Sequence, residues 1–298
     1  MIAVIGDVVQ DVVVWQQEPM RAATDTQSEI TYTRGGSAAN VAAFAAPRHP
    51  TRFIGCVGDD LGGHVVSEEL ASHGVDVRVQ IRGSTGTIIV LIDAQGERMM
   101  FPSRGASGML ERIAPKDLAD VDLVHLTGYS LQSEPTATSV LDAAKRVKRR
   151  GGKVSFDISS VGMIDLYGLE AFQRMVLDLA PDVITANEDE AALVDLAGPD
   201  GAGGFLRRLP ASTVLLARAG SRPTRVFRGG ELVHVVPVEP VQDVRDLTGA
   251  GDAFNAGFLV SWSEQGDLVR AVDQAHALAR RVLRCPGASE PSRGAAAA

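Results

Sequence analysis

The residues best placed to do chemistry lie in the run Asp246-Leu247-Thr248-Gly249-Ala250-Gly251-Asp252-Ala253-Phe254. A small, flexible turn here leads directly into an apolar segment that reads as a buried helix. The backbone N–H groups of Gly249, Ala250 and Gly251 then sit at a helix N-terminus, where unpaired donors and the helix dipole favour an anion. Glycine lets the backbone approach that anion with no side chain between them. A carboxylate beside an anion site carries the wrong charge for binding alone. Asp252 makes sense there as the group that takes a proton from a hydroxyl attacking phosphorus. An ordinary first-turn acid that stabilises its helix would look the same, so the rest of the chain has to decide.

A second glycine pair, Gly35 and Gly36, opens the run GGSAANVA. It also exposes backbone donors at a helix start, although a glycine pair there is often only a turn. Asn40, on the first turn, offers a donor and an acceptor to a polyhydroxylated ligand. Gly6, Asp7 and Asp11 follow the first apolar run, where open parallel sheets place ligand-binding groups. Asp11 could hold a pair of sugar hydroxyls or be a solvated loop acid. Asp59 and Asp60 read as caps of the next helix. In Asn187-Glu188-Asp189-Glu190, Asn187 fits a helix cap followed by first-turn acids. Asn187 and Glu190 equally fit a role ordering waters around Mg²⁺ and a phosphate, since magnesium keeps several waters and few protein ligands.

Positioning these groups requires a scaffold of alternating elements. Short apolar, β-branched runs at 2–5, 51–56, 123–126, 153–156, 183–185 and 213–217 read as strands. Amphipathic or apolar runs at 38–46, 62–72, 135–149, 169–179, 188–196, 253–263 and 268–283 read as helices. Strand-then-helix alternation predicts an α/β fold, a mostly parallel sheet covered by helices on both faces. Half-polar, alternating segments near 11–16, 28–34, 87–92 and 98–102 do not suit that core. They predict a small β-sheet lid, its last two strands joined by a hairpin at Asp93-Ala-Gln-Gly-Glu97. The whole chain, 1–298, reads as one domain, with 290–298 a frayed tail.

Composition excludes several classes. A formal charge of −8 disfavours nucleic acid as a bulk electrostatic partner. The basic group Lys145, Arg146, Lys148, Arg149 and Arg150 falls at a helix end, where cations suit the dipole. Cys56 and Cys285 are too few for a disulfide framework or a zinc site. No apolar stretch is long enough to span a bilayer, and the chain enters a strand at once, with no signal-length apolar region; the expectation is a cytoplasmic protein with no membrane partner.

In this order, the motifs resemble the PfkB/ribokinase family of carbohydrate and nucleoside kinases. The resemblance runs from Ile2 to Ala288 and rests on DLTGAGDAFNAGF (Asp246 to Phe258), GGSAANVA and the Asn187–Glu190 group. It implies a ribokinase-like fold: a Rossmann-like core with a β-sheet lid. It implies Asp252 as catalytic base and Gly249, Ala250 and Gly251 as anion hole. Asp11, Gly35, Gly36 and Asn40 would hold a sugar, and Arg104, in the lid-like segment Arg98 to Ala106, would reach a hydroxyl or carboxylate of it. Asn187, Gly220, Ser221 and His276 would serve ATP, with Gly249 and Gly251. Glu190 would serve Mg²⁺ through water, and Asp246 with Thr248 would match a monovalent-cation position, K⁺ being the candidate. The chain departs from the family pattern in three places. Gly128 stands where ribokinase carries a ribose-contacting glutamate. Pro223 replaces a nucleotide-loop glycine, and the segment from Asp157 reads Asp-Ile-Ser-Ser, without the asparagine and arginine of related sugar kinases.

The implied reaction is ATP-dependent phosphorylation of a small sugar or sugar derivative. Alternatives are a nucleoside kinase, with Tyr32 and Phe101 of the lid as stacking candidates in a chain of only 5% aromatics, or an idle, ligand-sensing homologue. A dinucleotide-binding oxidoreductase fits poorly, because its glycine fingerprint should follow the first strand. The lid sheet's exposed edges suggest a homodimer.

Overall fold

The computed structural model describes residues 1–93, 95 and 97–291. Two residues of the expected hairpin turn, 94 and 96, and 292–298 of the expected frayed tail lie outside the described residues. In chain order, β1 (Ile2–Ile5) leads into β2 (Val9–Gln16) and β3 (Ser28–Gly35), then α1 (Ser37–Ala45), β4 (Thr51–Val57), α2 (Leu61–Ser72) and β5 (Asp76–Ile81). Next come β6 (Gly86–Ile92), β7 (Arg98–Ser103), β8 (Leu123–Thr127), α3 (Thr136–Lys148), β9 (Lys153–Asp157), α4 (Val161–Tyr167) and α5 (Leu169–Leu179). The chain ends through β10 (Val183–Ala186), α6 (Glu188–Leu193), the short pair β11 (Ala197–Gly198) and β12 (Gly201–Ala202), β13 (Val214–Ala219), β14 (Arg222–Arg228), β15 (Glu231–Val236), α7 (Ala250–Gln265) and α8 (Leu268–Val282).

Nine strands form one sheet in the order β15-β14-β13-β10-β9-β8-β1-β4-β5. It is parallel from β13 to β5, and β14 and β15 add an antiparallel edge. Side chains alternate across a strand, so β1 feeds two cores. Ile2 and Val4 join one cluster with Phe53, Phe258 and Trp262, while Ala3 and Ile5 join another with Phe156, Phe172 and Val140. That two-sided burial is why the strands read as continuous apolar runs. Among the described residues, no helix is long and apolar enough to cross a membrane.

The expected core strands and helices are all present, with ends shifted by a few residues. One shift matters: the helix expected from 253 begins at Ala250, which makes Gly249 its N-cap with φ 77°. Helix α6 is shorter than expected because Asp195 turns left-handed, φ 58°, and takes the Phe205 N–H on its carboxylate at 3.0 Å.

The lid is a four-stranded sheet, β3-β2-β6-β7. Its register sorts its two faces, because directly paired residues share a face and successive ones alternate. Asp11 pairs with Thr33 and Ile88, and Arg98 pairs with Ile92, which pairs with Trp15; all lie on the face that carries Asp11. Tyr32 pairs with Val12, Val12 with Ile89 and Ile89 with Phe101, which puts Tyr32 and Phe101 on the opposite face. The stacking role expected of these two aromatics is thereby corrected: they point away from the face that bears Asp11.

Candidate active site

Helix α7 is apolar almost all round, and Ala253 to Trp262 are buried. A helix hydrophobic all round is fixed in depth and direction by packing, here mainly against α1 and α8, so its N-terminus is a rigid fixture. Gly249 takes the left-handed turn into it. The Ala250 N–H leans on the Leu247 carbonyl at 3.3 Å. Those of Gly251 and Asp252 belong to the open first turn.

Asp252 is held at both oxygens. Ser37 Oγ donates to Oδ1 at 2.6 Å, and Asn40 Nδ2 donates to Oδ2 at 2.8 Å. Asn40 Oδ1 accepts from Arg34 Nη1, and Arg34 in turn meets Glu69 of α2 at 3.3 Å. Burial raises the Asp252 pKa to about 6 against the two hydrogen bonds, and the charges of Asp157 and Asp7 push the same way. The arrangement gives a carboxylate of fixed orientation and raised basicity beside a helix N-terminus. Asn40 is thus brought to the site as expected, but both ends of its amide are already used on Asp252 and Arg34, so its first role is to orient the aspartate.

The glycine pair makes the other wall. A Cβ on Gly35 would lie 2.2 Å from Asp11 Oδ1, so only glycine leaves that carboxylate its room. Gly36, with φ 95°, passes so close to the Asp7 carbonyl that a Cβ would lie 2.6 Å from it. Asp7 is the anchor of this corner, accepting from the N–H groups of Ser37 and Ala38 at 3.0 and 3.2 Å and from Thr127 Oγ1 at 3.2 Å. Asp11 Oδ1 is buried without a partner, and burial lifts the Asp11 pKa to about 6 although Arg34 and Arg104 pull it down. An unsatisfied buried acceptor is costly, and ligand hydroxyls are what it would accept from. Arg104 sits over the Tyr129 ring at 5.2 Å. Asp11, Gly35, Gly36, Asn40, Arg104 and Asp252 therefore share one region.

The expected nucleotide side gathers less completely. Gly220, with φ 62°, and Ser221 form the tight turn between β13 and β14. Pro223 lies near the start of β14, at the register irregularity opposite Ala217 and Ala219 and before the first residue paired with β15, where a missing N–H is tolerated. Asn187 and Glu190 form a capping box: Asn187 Oδ1 accepts from the Glu190 N–H, and Glu190 Oε2 from the Asn187 N–H at 2.8 Å. Both expected roles therefore fall on the same pair, and capping is the one visible in the hydrogen bonds. Burial, and then the charge of Asp157, push the Glu190 pKa upward. His276 is 7% exposed, with Nε2 at 2.9 Å from Thr224 Oγ1 and its ring 5.5 Å from that of Phe254. It backs Phe254 in the core, so a nucleotide near it would meet Phe254 as well.

The geometry at Asp246 and Thr248 is specific. They do come together, but around a guanidinium. Arg98, at the tip of the lid, donates to Asp246 Oδ1 at 2.8 Å and to Thr248 Oγ1 at 3.0 Å. The Thr248 N–H also reaches Asp246 Oδ1, and the Gly287 N–H takes Oδ2 at 2.9 Å. Against the cost of burial, these donors hold the Asp246 pKa down at about 2. In this structure an arginine stands at the carboxylate where a monovalent ion was expected.

Sequence reasoning missed Arg34, Ser37, Arg98 and Arg218. Ser37 sat inside a quoted motif. Arg218 carried a signal of its own, a lone cation at the end of the apolar strand β13. It donates from Nη2 to Asp157 Oδ1 at 2.9 Å, and Asp157 also accepts from Thr185 Oγ1 at 2.6 Å. The open α7 turn, the unpartnered Arg218 Nε and the crowding of Gly251 by Arg218 fit the phosphates of a nucleotide. Among the described residues no cluster of three metal-ligating side chains occurs. Mg²⁺ held through water and phosphate fits Glu190 and Asp157 better than a direct protein cage.

Comparison with known proteins gives the family of the chain. The family model for pfkB family carbohydrate kinases matches residues 1–294. A fructokinase from Klebsiella pneumoniae is 33% identical over 276 residues, 88% of this chain and 84% of that protein. An ATP-dependent ribose-1-phosphate kinase from Halopiger xanaduensis is 36% identical over 281 residues, 89% of this chain and 85% of that protein. Among solved structures, an E. coli protein assigned as a ribokinase II, in complex with ATP and Mg²⁺, superposes with a TM-score of 0.81 at 24% identity, covering 96% of this chain and 94% of that one.

Proposed function

Because the chain belongs to the pfkB family of carbohydrate kinases and is an ATP-dependent kinase, we propose that it phosphorylates a hydroxyl of a small sugar or sugar derivative, with Asp252 as general base. The observation that carries this reading is the pairing of an oriented, raised-pKa carboxylate with the first turn of α7.

The acceptor lies between the lid and α1. Asp11, whose buried oxygen lacks a donor, takes its hydroxyls, and Arg104 limits the pocket on the Tyr129 side. Asp252 accepts the proton of the attacking hydroxyl, largely late in a loose transition state, so a pKa near 6 suffices. In the turn Gly249-Ala250-Gly251 the open N–H of Gly251 faces the transferring oxygens, where a fixed donor acts without reorganising, while that of Ala250 must leave the Leu247 carbonyl to join it. Gly220 and Ser221 border the nucleotide, with Asn187 and Glu190 on its phosphate side. Mg²⁺, when bound with ATP, supplies further neutralisation of the phosphate charge. The lid, held to the α7 turn by Arg98, excludes water that would otherwise act as acceptor.

Tyr32 and Phe101 on the outer lid face weaken a nucleoside reading that depended on them. The same face carries Ile30, Ile89 and Met99, all exposed, and we assign it to a second copy of the chain. Equilibrium sedimentation showing only monomer at micromolar concentration would remove that assignment. No nucleic acid or membrane partner is proposed, and a cytoplasmic location suits the use of ATP.

The test is ADP release across pentoses, hexoses, ketodeoxy acids, sugar phosphates and nucleosides with Mg²⁺. Substrate-dependent release from one class identifies the acceptor. Tight ATP binding with no release from any class would instead support the idle homologue.

A further inference from the structure

We propose that Arg218 is a further catalytic residue, whose guanidinium completes the anion hole at the start of α7 and binds the phosphoryl group as it transfers. This rests on the phosphoryl-transfer reading above.

Position is the first argument. Strand β13 ends beside the N-terminus of α7, and a Cβ added to Gly251 would lie 2.6 Å from Arg218 Nη1. The guanidinium thus lies against the backbone that offers the anion-hole amides. Glycine at 251 is needed for that approach as much as for any ligand.

Orientation is the second. The Arg218 head is fixed on one side by Asp157, through Nη2 alone, and on another by the Phe254 ring, 5.7 Å from Cζ. An arginine serving only as an ion-pair partner would present a bidentate fork to its carboxylate. Here a single nitrogen meets an oxygen that already accepts from Thr185 Oγ1, and Nε is buried without a partner. The Nη1 edge is left facing the hole. A half-buried guanidinium whose buried Nε has no partner gains when an anion arrives.

Charge is the third. Asp7, Asp157, Glu190 and Asp252 all surround this end of the sheet. Asp157 and Asp7 raise the Asp252 pKa, whereas Arg218 opposes the effect of Asp157 on Glu190. A polyphosphate entering a ring of carboxylates needs a cation as well as partial charges on amides. The segment after Asp157, Ile158-Ser159-Ser160, brings none, and Arg218 brings one to the same carboxylate from β13.

In the step itself, a bond forms between the acceptor oxygen and the γ-phosphorus, and the bond to the bridging oxygen of the departing ADP breaks. The hydroxyl proton passes to Asp252. Arg218 remains protonated throughout and donates to non-bridging oxygens, more strongly as charge gathers on them in the transition state.

The experiment is calorimetric binding of ADP, and of ADP with aluminium fluoride as a mimic of the transferring phosphoryl, each with Mg²⁺. It compares the unaltered chain with Arg218→Lys and Arg218→Ala. The expected result is ADP affinity within about 3-fold of the unaltered chain, with the aluminium fluoride complex weakened by at least ~10²-fold, because the lost contact belongs to the transition state. Added guanidinium ion should restore part of that loss to Arg218→Ala. Equal weakening of both ligands, or of neither, overturns the proposal and leaves Arg218 as a brace for Asp157. If Arg218→Ala does not fold, Arg218→Gln, which keeps a hydrogen-bond donor for Asp157 and removes the charge, gives the same readout. An unaltered chain that binds ADP no more tightly with aluminium fluoride takes down the phosphoryl-transfer reading itself, and this proposal with it.

Discussion

Asn40 and Asp252 stand 212 residues apart in the chain and meet at 2.8 Å. The amide of Asn40 cannot turn over without facing its NH₂ group to the Arg34 guanidinium, so Arg34 fixes which end points at Asp252. With Ser37 on the other oxygen, the carboxylate has one orientation.

Removing Ser37 should therefore change basicity before it changes structure. The Ser37 hydrogen bond stabilises the ionised form of Asp252. Burial already holds that pKa at about 6, so activity should fall as pH drops through that value and the base becomes protonated. In Ser37→Ala the acid limb of the kcat/KM profile should move to higher pH by about one unit, the scale of a hydrogen bond to a charged group. An unchanged limb, with activity lowered equally at all pH values, would separate Asp252 from the titration.

Asp252→Asn should lose turnover by at least ~10²-fold, in line with general-base contributions, and yet be more stable at neutral pH. The sign follows from linkage. The folded-state pKa, about 6, lies above the ordinary 3.8, so folding favours the protonated form. Any advantage is full below 3.8 and is lost as pH rises through about 6, beyond which the buried charge is a constant cost. That cost is on the order of 3 kcal/mol, and asparagine avoids it. Thermal unfolding should show Asp252→Asn gaining at pH 7.5 and losing the gain near pH 3.5. A variant with near-normal phosphorylation would sink the catalytic role.

Much of this was legible in the sequence, for physical reasons. Strands buried on both faces announce themselves as apolar runs, and the turn before α7 carried its glycines in plain sight. The β14–β15 hairpin was less legible, because Arg222, Arg225 and Arg228 break its apolar character, although Gly229-Gly230, both with positive φ, is the turn such a hairpin wants. The site was legible where one local motif holds it. Ser37 and Asn40 lie on a helix named in advance, but that they grip Asp252 is a tertiary fact. Arg98 and Arg218 act on residues 148 and 61 positions away, and no periodicity encodes those distances.

Gly35 should be the most informative glycine in the acceptor region. Alanine there would drive its Cβ into the Asp11 carboxylate, 2.2 Å away, with the β2–β3 pairing holding both backbones in place. Gly35→Ala should raise the acceptor KM by at least ~10-fold through lost positioning, while the KM for ATP changes little, since α7 and β13 are untouched. A matching rise for ATP would show that Asp11 supports the whole lid and not the acceptor alone.

The last prediction follows from the guanidinium at Asp246. Arg98 joins the lid to the turn before α7, with its charge on the carboxylate that a monovalent ion would need. The unaltered enzyme should therefore work equally well with K⁺ or with tetramethylammonium as the only monovalent cation. Arg98→Met removes both the charge and the link. Asp246, still buried beside the Thr248 and Gly287 N–H groups, is then left without a cation. Turnover should fall by about 10-fold or more as the turn loosens, a loss typical of misplaced transition-state donors. Part of it should return with K⁺ and not with tetramethylammonium, because only the small ion can enter the vacated site. Strong K⁺ activation of the unaltered enzyme would mean that the Arg98 contact opens during turnover and that the lid, not the turn, is what Arg98 holds.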